Sequence, residues 1–412
     1  MARLFRIAVR NLRRYKRRTL LTASLVAIGV LFVLVFIAAS GSFKNMIIAQ
    51  ITDSMLGHIQ VHKKGYVASI ENLPLTLNMN QDQMKKVEKA IQGTPGIEAY
   101  SPRVKFGGMF STFAETTNIR LNGVDPDKEM KTVPLLQSRI LQGGKWMQKG
   151  ELLIPQLLAR GMGVKVGDTV VIIATNKDGS VNGKQLRVSG ILESATGPGG
   201  RDGYLHIDDA IEILRMEEPE VSEVAIRLKD FGRLHDVYKG LTAALSNEMN
   251  KQGTLLFEVH TWEGLSPFFN VARMIDVMTF FIKLMLIAIV LVSIMNVMIM
   301  AVYERIREIG TIAAIGTQPH RILSMFIVEG FCLALFGAAI GTVAGLLVVL
   351  ILRSVKVTFD FGMQTGLVLM PTLHVMDVVA VALIVIVVAV LGSLQPAFKA
   401  SRMEPIKALR HV

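Results

Sequence analysis

Four long apolar stretches constrain the fold of this chain more than any other feature of its sequence. They are Leu20–Ala39, Phe280–Val302, Phe326–Leu352 and Val378–Leu394. Each has about 17 to 27 residues, long enough to cross a hydrocarbon core of roughly 30 Å as a helix. The sequence therefore predicts an α-helical membrane protein with four transmembrane helices.

The first stretch also has the parts of a secretory signal peptide. A basic leader precedes it, and the small residues 38–42 follow it. However, its apolar run is longer than the roughly 7 to 15 residues of a signal sequence. We therefore interpret it as the first membrane helix.

The formal net charge of +12 is concentrated at three places. Residues 1–18 carry eight Lys or Arg and no acid, and residues 303–322 and 396–412 carry most of the remaining excess. Because Lys and Arg are enriched in cytoplasmic segments of membrane proteins, both termini and the connection at 303–322 are expected in the cytoplasm. The same charges could bind nucleic acid, but they flank membrane spans and lack interleaved aromatic residues, so no nucleic-acid partner is expected.

This topology gives the following predicted organisation. It comprises a basic amphipathic leader (1–18), a first span (19–41), a large periplasmic domain with stalks (42–275), a second span (276–302), a cytoplasmic coupling helix (303–322), a third span (323–352), a short periplasmic loop (353–374), a fourth span (375–395) and a cytoplasmic tail (396–412).

The outer domain is predicted to be α+β. The only cysteine, Cys332, lies in the third span, so the outer domain contains no disulfide and depends on its own core. Helical spacing at 81–93 and 230–250 and strand-like alternation at 58–62 and 164–193 indicate mixed structure. We expect a helix-containing core from both ends of the segment and a β-rich insertion at about 100–204.

The sequence shows no enzyme or metal motif. GxxxxGK[ST] is absent, so these 412 residues contain no P-loop for ATP. His58, Gln60 and His62 share one face of a predicted strand and could approach a metal, but without a nearby cysteine or carboxylate we interpret them as a solvated polar face. GPGGRDG, at 197–203, is interpreted as a flexible loop. No catalytic residue, metal site or bound cofactor is predicted.

The third span carries two unusual features. Gly337, Gly341 and Gly345 recur every four residues, a pattern that lets helix backbones approach closely in a bundle or a dimer. Ordinary glycine abundance in membrane helices is the alternative. Glu329 lies near the cytoplasmic end, where it is either a functional intramembrane charge or a side chain that reaches the interface. Lys283, in the second span, is interpreted as reaching the outer interface in the same way.

The connection between the second and third spans combines charge with helical spacing. Its charged residues are Glu304, Arg305, Arg307 and Glu308, and its small or apolar residues recur at Ile306, Ile309, Ala313 and Gly316. Gly316 can end a helix and Pro319 can begin the next one. A short helix attached to two spans is suited to a groove on a soluble partner; a solvated connecting turn is the alternative.

The motifs in this region resemble a known family. ERIREIGTIAAIG resembles the ERxREIGxxxAxG coupling-helix motif of the MacB/FtsX/lipoprotein-releasing ABC permeases. Glu329-Gly330 with the glycine repeat is similar to the third helix of that family, and QPAFKASRMEPIKALR resembles its C-terminal tail. RLNGVDPD, LQGGKW and GVKVGDTV are similar to recurring segments of its outer domain.

This resemblance implies a non-catalytic permease subunit of the bacterial inner membrane. It implies a dimer with a second permease, identical or different, and two copies of a separate ATPase that binds ATP and Mg. In that arrangement the residues that contact the ATPase would be Glu304, Arg305, Arg307, Glu308 and Gly310. The motion of the ATPase would then reach the periplasmic domain through the stalks.

The resemblance is greatest to the lipoprotein-releasing branch. Members of that branch take lipoproteins from the outer leaflet of the membrane and pass them to a periplasmic chaperone. Two alternatives remain: efflux of another amphiphile with a periplasmic adaptor, as in the macrolide exporters, and signal transmission to a periplasmic partner without transport, as in the cell-division branch.

Overall fold

The computed structural model describes residues 10, 14, 16–144, 146–194, 201–250, 253–361 and 364–410. Its helices, numbered in chain order, are α1 (Lys16–Ile51), α2 (Gln81–Gly93), α3 (Pro126–Thr132), α4 (Gln156–Gly161), α5 (Ile207–Ile213), α6 (Leu234–Leu245), α7 (Trp262–Leu265), α8 (Phe268–Glu304), α9 (Ile306–Ala314), α10 (Pro319–Val355), α11 (Val375–Ser401) and α12 (Pro405–Arg410). A π-helical turn, Thr52–Leu56, follows α1 directly.

The strands are β1 (Ile59–Lys63), β2 (Ile97–Ser111), β3 (Thr116–Val124), β4 (Ile140–Gly143), β5 (Glu151–Pro155), β6 (Thr169–Thr175), β7 (Val181–Leu192), β8 (Gly203–His206), β9 (Glu223–Leu228), β10 (Phe257–Thr261), β11 (Thr358–Phe361) and β12 (Gln364–Val368). The chain divides into two compact units. The first comprises residues 1–45, 273–358 and 368–412, and the second comprises residues 46–272 and 359–367.

The first unit is helical. Four helices of the described residues, α1, α8, α10 and α11, are long and apolar enough to cross a membrane. Each continues past the apolar stretch that identifies it in the sequence, and α11 runs through Pro396. The segment expected as a short loop at 353–374 instead contains the end of α10 and a hairpin of β11 and β12.

Aliphatic side chains fill the core of this helical unit. Val30 and Leu34 of α1, Ile294 of α8 and Phe326 of α10 are almost fully buried in one cluster. Alanine and glycine allow the helices to approach closely because their side chains are small. Such packing matters in a membrane, because lipid does not drive apolar helices together as water does. A Cβ placed on Gly337 would lie 2.7 Å from Val26, and one on Gly345 would lie 3.1 Å from Leu34. The glycines of α10 therefore face α1 of the same chain.

The second unit is built around one ten-stranded sheet in the order β10-β1-β9-β2-β3-β8-β5-β7-β4, with β6 pairing with β2 and β7. The strand β2 is long enough to pair with β9 over its first half and with β3 over its second half. The expected boundary near residue 100 therefore does not separate two sheets. Strands from both ends of the segment and strands of the expected insertion share one hydrogen-bonded ladder.

The interpretation of β1 as a solvated polar face is wrong. His58, Gln60 and His62 are 4%, 1% and 0% exposed, because β1 is an inner strand between β9 and β10. Glu223 of β9 lies within 3.6 Å of the His62 ring nitrogen. Within the described residues no group of three or more potential ligands is placed to hold a metal.

Buried charges of opposite sign surround this strand. Arg103 contacts both Glu129, at 2.7 Å, and Glu223, at 3.0 Å, and Lys105 lies 3.2 Å from Glu223. Burial alone would raise the pKa of Glu223, but the charges of Lys105 and Arg103 and the neighbouring His62 ring hold that pKa well below its usual range. These ion pairs connect β2 with α3 and β9.

We predict that Gly341→Ala destabilises the helical unit. A Cβ at Gly341 would lie 2.5 Å from the carbonyl oxygen of Ala27, and a backbone atom of a packed helix cannot move away easily. Overpacking of this kind costs about 1–3 kcal/mol. A lower thermal unfolding midpoint of the purified chain in detergent would show it.

The matched control is Gly41→Ala on α1, where an added Cβ meets no atom within 4 Å. This control should be neutral or slightly stabilising, since alanine is a better helix former than glycine. Equal midpoints for Gly341→Ala and the wild type would contradict the close helix approach.

Candidate functional site

The connection between α8 and α10 is a short helix between two sharp breaks. Arg305 leaves helical geometry with φ −115° and ψ 16°, which separates α8 from α9. Gly316 has φ +92°, a left-handed conformation that glycine adopts without strain, and it follows the end of α9. Pro319 occupies the first turn of α10, where its missing N–H costs nothing. The helix is therefore nine residues, Ile306–Ala314, and is shorter than the predicted 303–322.

The five residues expected to contact an ATPase separate into two groups in the structure. Glu304 and Arg307 are exposed and Glu308 is half-buried, whereas Arg305 and Gly310 are buried. Glu304 is the last residue of α8, and Arg305 lies between the helices rather than within α9. Only the first group presents side chains to a partner outside the chain.

Arg305 points into the helical bundle. Its Nη1 donates to Glu329 Oε2 of α10 at 3.0 Å, and its Nε donates to Glu308 Oε2 at 3.4 Å. The side chains of Arg305 and Glu329 are only 5% and 0% exposed. A buried charge is tolerated when an opposite charge and hydrogen bonds compensate for lost hydration. This ion pair fixes the start of α9 to α10.

Helix α12 packs directly against Gly310 of α9. A Cβ at this position would lie 2.6 Å from the Cβ of Ala408 in α12. Helices α9 and α12 therefore pack closely, with Ile306 and Ile309 of α9 also buried. The family-like tail motif and the charged motif, distant in sequence, form one structural element.

The opposite side of α9 borders a cavity of about 370 Å³. Apolar side chains of Ile309, Ile322 and Phe326 line it, together with three arginines, Arg10, Arg305 and Arg321. Arg14 of the leader lies 3.6 Å from Glu308. The site is thus a short exposed helix edge beside a concave surface that is apolar and carries positive charge.

A second constellation that the sequence did not reveal lies in the sheet unit, at the turn that follows α1. The turn Thr52–Leu56 ends at Gly57, whose φ is +76°. Asp53 accepts from Arg227 Nη1 of β9 at 2.6 Å and lies 3.1 Å from His58 Nε2. Asp53 also accepts, through its backbone carbonyl, from Leu135 N–H at 2.8 Å.

The backbone carbonyl of Ser54, the next residue of this turn, also accepts a hydrogen bond. Arg139 Nη1 donates to the carbonyl of Ser54 at 3.3 Å, and its Nε and Nη2 donate to the carbonyl of Glu193. We call Asp53, Ser54, Arg139 and Arg227 the stalk clamp. No sequence motif indicates it, because Arg139 and Arg227 are far in the chain from Asp53 and Ser54 and each member is an ordinary surface residue type.

Sequence comparisons identify two matching family profiles. The MacB-like periplasmic core domain matches residues 19–244, and the FtsX-like permease C-terminal domain matches residues 280–405. The second match contains α9, Glu329 and the glycine repeat, and it extends to the start of α12.

Individual relatives and structures are also similar. The lipoprotein-releasing system transmembrane protein LolC of Neisseria meningitidis is 24% identical over 98% of both chains. The macrolide export ATP-binding/permease protein MacB 2 of Aeromonas hydrophila is 24% identical over 98% of this chain and 60% of its own length. The extracellular domain of the noncanonic ABC-type transporter YknZ from Gram-positive bacteria covers 49% of this chain and 99% of its own, with 14% identity and a TM-score of 0.35.

We predict that Glu329→Gln strongly destabilises the helical unit. The substitution leaves the Arg305 guanidinium buried without its opposite charge, and breaking a buried pair in this way costs about 3–5 kcal/mol. Thermal unfolding of the purified chain in detergent measures the loss.

Glu308→Gln is the matched control, because Glu308 contacts the same arginine but its side chain is 43% exposed. Its effect should be at most about 1 kcal/mol, as for other exposed ion pairs. If both variants unfold at the same temperature, Glu329 does not have the stabilising role assigned to it.

Proposed function

This chain belongs to the MacB/FtsX-type ABC transporter permease family, and from that premise we propose that it is the subunit through which a separate ATPase drives lipoproteins out of the membrane. The observation that carries this proposal is the length of the match to LolC, which includes 98% of both chains. The match to MacB 2 covers only 60% of that longer ATP-binding/permease protein. We assign ATP hydrolysis to a separate chain, as in the lipoprotein-releasing branch that this sequence resembles.

We assign ATPase contact to the exposed edge of α9. Glu304, Arg307 and Glu308 offer both signs of charge there, and the adjoining cavity offers an apolar surface for a partner side chain. Charged edges around an apolar centre favour specific orientation of a partner. Arg305 and Gly310 act indirectly: Arg305 fixes α9 to α10 through Glu329, and Gly310 admits α12 against α9.

The same contacts give a path for motion. A displacement of α9 reaches α10 through the Arg305–Glu329 pair, and α10 packs on α1 at Gly337 and Gly341. Helix α1 runs without a break from Lys16 to Ile51, and the stalk clamp then ties its end to β9 and to the residues around Leu135. We propose that ATP-driven movement is delivered to the sheet unit by this route.

Orientation follows from the same assignment. Helices α9 and α12 and the basic leader lie on the cytoplasmic side of the bacterial inner membrane, while the sheet unit lies in the periplasm. Lipoprotein is met at the outer leaflet, and a second permease subunit and a periplasmic chaperone complete the pathway.

We predict that reversing both exposed charges, Glu304→Arg with Arg307→Glu, disrupts assembly with the ATPase. Like charges placed opposite one another at an interface cost several kcal/mol, so co-purified ATPase should fall by about tenfold or more. Affinity co-purification from membranes, with the unfolding midpoint of the permease as a folding check, measures it.

The control for assembly is Lys399→Glu, an exposed charge change near the end of α11 and outside α9. It should leave the amount of bound ATPase unchanged. Full assembly and normal turnover of the doubly reversed variant would refute the assignment to α9.

We predict that Asp53→Asn separates ATP hydrolysis from cargo release. The amide keeps the size of the side chain but removes the charge that meets Arg227. In proteoliposomes of the complete complex, ATP turnover should persist while acylated lipoprotein released per ATP falls severalfold. Asp82→Asn is the control, since Asp82 is exposed and pairs only with the neighbouring Lys85 among the described residues. An unchanged ratio for Asp53→Asn would exclude the stalk clamp from transmission.

The cargo itself is tested by comparing an acylated lipoprotein with its unacylated form. ATP-dependent release of the acylated protein alone supports the proposal. Release of a macrolide-type amphiphile instead would favour the exporter branch, and activation of a periplasmic partner with no release of any amphiphile would favour signal transmission.

A further inference from the structure

A polar cavity lies at one end of the helical unit, opposite the end that carries α9. Its volume is about 180 Å³, and it is formed by the ends of three membrane helices: α1, α8 and α11. The polar and charged side chains around it include Ser40, Lys44, Asp276, Thr279, Lys283 and Asp377. At roughly 30 Å³ for each water, the cavity has room for about six water molecules.

The level of this cavity follows from the apolar stretches. Ser40 and Lys44 come directly after the first stretch, and Asp276 and Asp377 come directly before the second and fourth. Because the hydrocarbon core ends where these runs end, the cavity lies at the depth of lipid headgroups. With α9 in the cytoplasm, these are headgroups of the outer leaflet.

Part of the cavity wall is fixed by internal pairing. Lys44 Nζ contacts both oxygens of Asp276, at 2.7 Å and 2.9 Å, and Thr279 Oγ1 donates to Ser40 Oγ at 3.1 Å. These contacts join α1 to α8. They also neutralise one cation and one anion of the cavity.

Lys283 and Asp377 are the remaining charges. Both side chains are half-buried, and among the described residues neither has an ion-pair or hydrogen-bond partner. They border the same cavity from α8 and α11 without touching one another. At headgroup depth, a charged side chain without a protein partner is available to pair with a lipid headgroup. A ligand that carries both an anionic and a cationic group can pair with each of them.

We propose that this cavity binds the headgroup of one phosphatidylethanolamine molecule of the outer leaflet. The phosphate accepts from the Lys283 ammonium, and the ethanolamine ammonium donates to the Asp377 carboxylate. Both are charge-assisted hydrogen bonds. An anionic headgroup would leave Asp377 unpaired, and a choline group has no N–H to donate to it. The site is independent of which cargo the permease moves.

Native mass spectrometry of the purified full chain tests the site. The chain is delipidated in detergent and then offered equal amounts of phosphatidylethanolamine, phosphatidylcholine or phosphatidylglycerol with identical acyl chains. One phosphatidylethanolamine should remain bound at about tenfold lower lipid concentration than either of the other two. Water-soluble phosphoethanolamine at the same concentration should not displace it, since the lipid source includes acyl chains held by the helices.

Two variants separate headgroup recognition from general lipid binding. Asp377→Asn should reduce the preference for phosphatidylethanolamine over phosphatidylcholine by roughly tenfold, about the loss of one charge-assisted hydrogen bond. Lys283→Gln should instead weaken the retention of all three lipids by a similar factor, because each of them carries the phosphate. The control is Arg353→Gln, which removes an exposed charge near the end of α10 that does not line the cavity. It should leave the preference unchanged.

Each other outcome overturns the proposal. Equal retention of the three lipids shows that the headgroup is not read. An unchanged preference in Asp377→Asn, or unchanged retention of all three lipids in Lys283→Gln, places the binding elsewhere. Displacement by soluble phosphoethanolamine rules out the lipid as the source. Unfolding midpoints close to the wild type establish that a lost preference comes from the site and not from misfolding.

Discussion

The ion pair between Arg305 and Glu329 is the interaction on which the placement of α9 against the membrane helices depends. Two charges that are nearly inaccessible to water lie 3.0 Å apart at the junction of a short helix and a long one. Separating them would leave each charge in an environment that does not hydrate it, so the two elements move together. The short helix is consequently fixed to α10, and the proposed transmission of force from α9 to α10 depends on this contact.

Two further constraints extend this rigidity. Glycines on α10 bring its backbone directly against α1. In the turn that follows α1, the stalk clamp holds the chain through the backbone carbonyls of Asp53 and Ser54 and through the Asp53 side chain. Along the proposed route, the buried ion pair joins α9 to α10 and close packing joins α10 to α1. The hydrogen bonds of the stalk clamp join the turn after α1 to β9 and to Leu135.

The helical part of the structure follows closely from sequence patterns. Long apolar runs predict membrane helices since the hydrocarbon core excludes unpaired backbone groups. Gly316 and Pro319 predict where one helix ends and another begins, because their backbone preferences are local. The sheet was less predictable. His58, Gln60 and His62 alternate as an exposed strand would, yet β1 has a strand on each side and charges from β2, β9 and α3 surround it. Their burial depends on residues that are distant in the chain.

The sequence by itself determined the number of membrane helices, the concentration of positive charge at three segments and the motif that carries the family resemblance, since these depend on composition and local spacing. Only the tertiary structure decided the roles within that motif. Arg305 and Glu308 are near neighbours in sequence, but one faces Glu329 inside the bundle and the other is half-exposed, because the break in helical geometry at Arg305 turns its side chain inward. Gly310 packs against Ala408, which lies almost a hundred residues later in the chain. Such pairings depend on how distant segments pack, and local spacing carries no information about them.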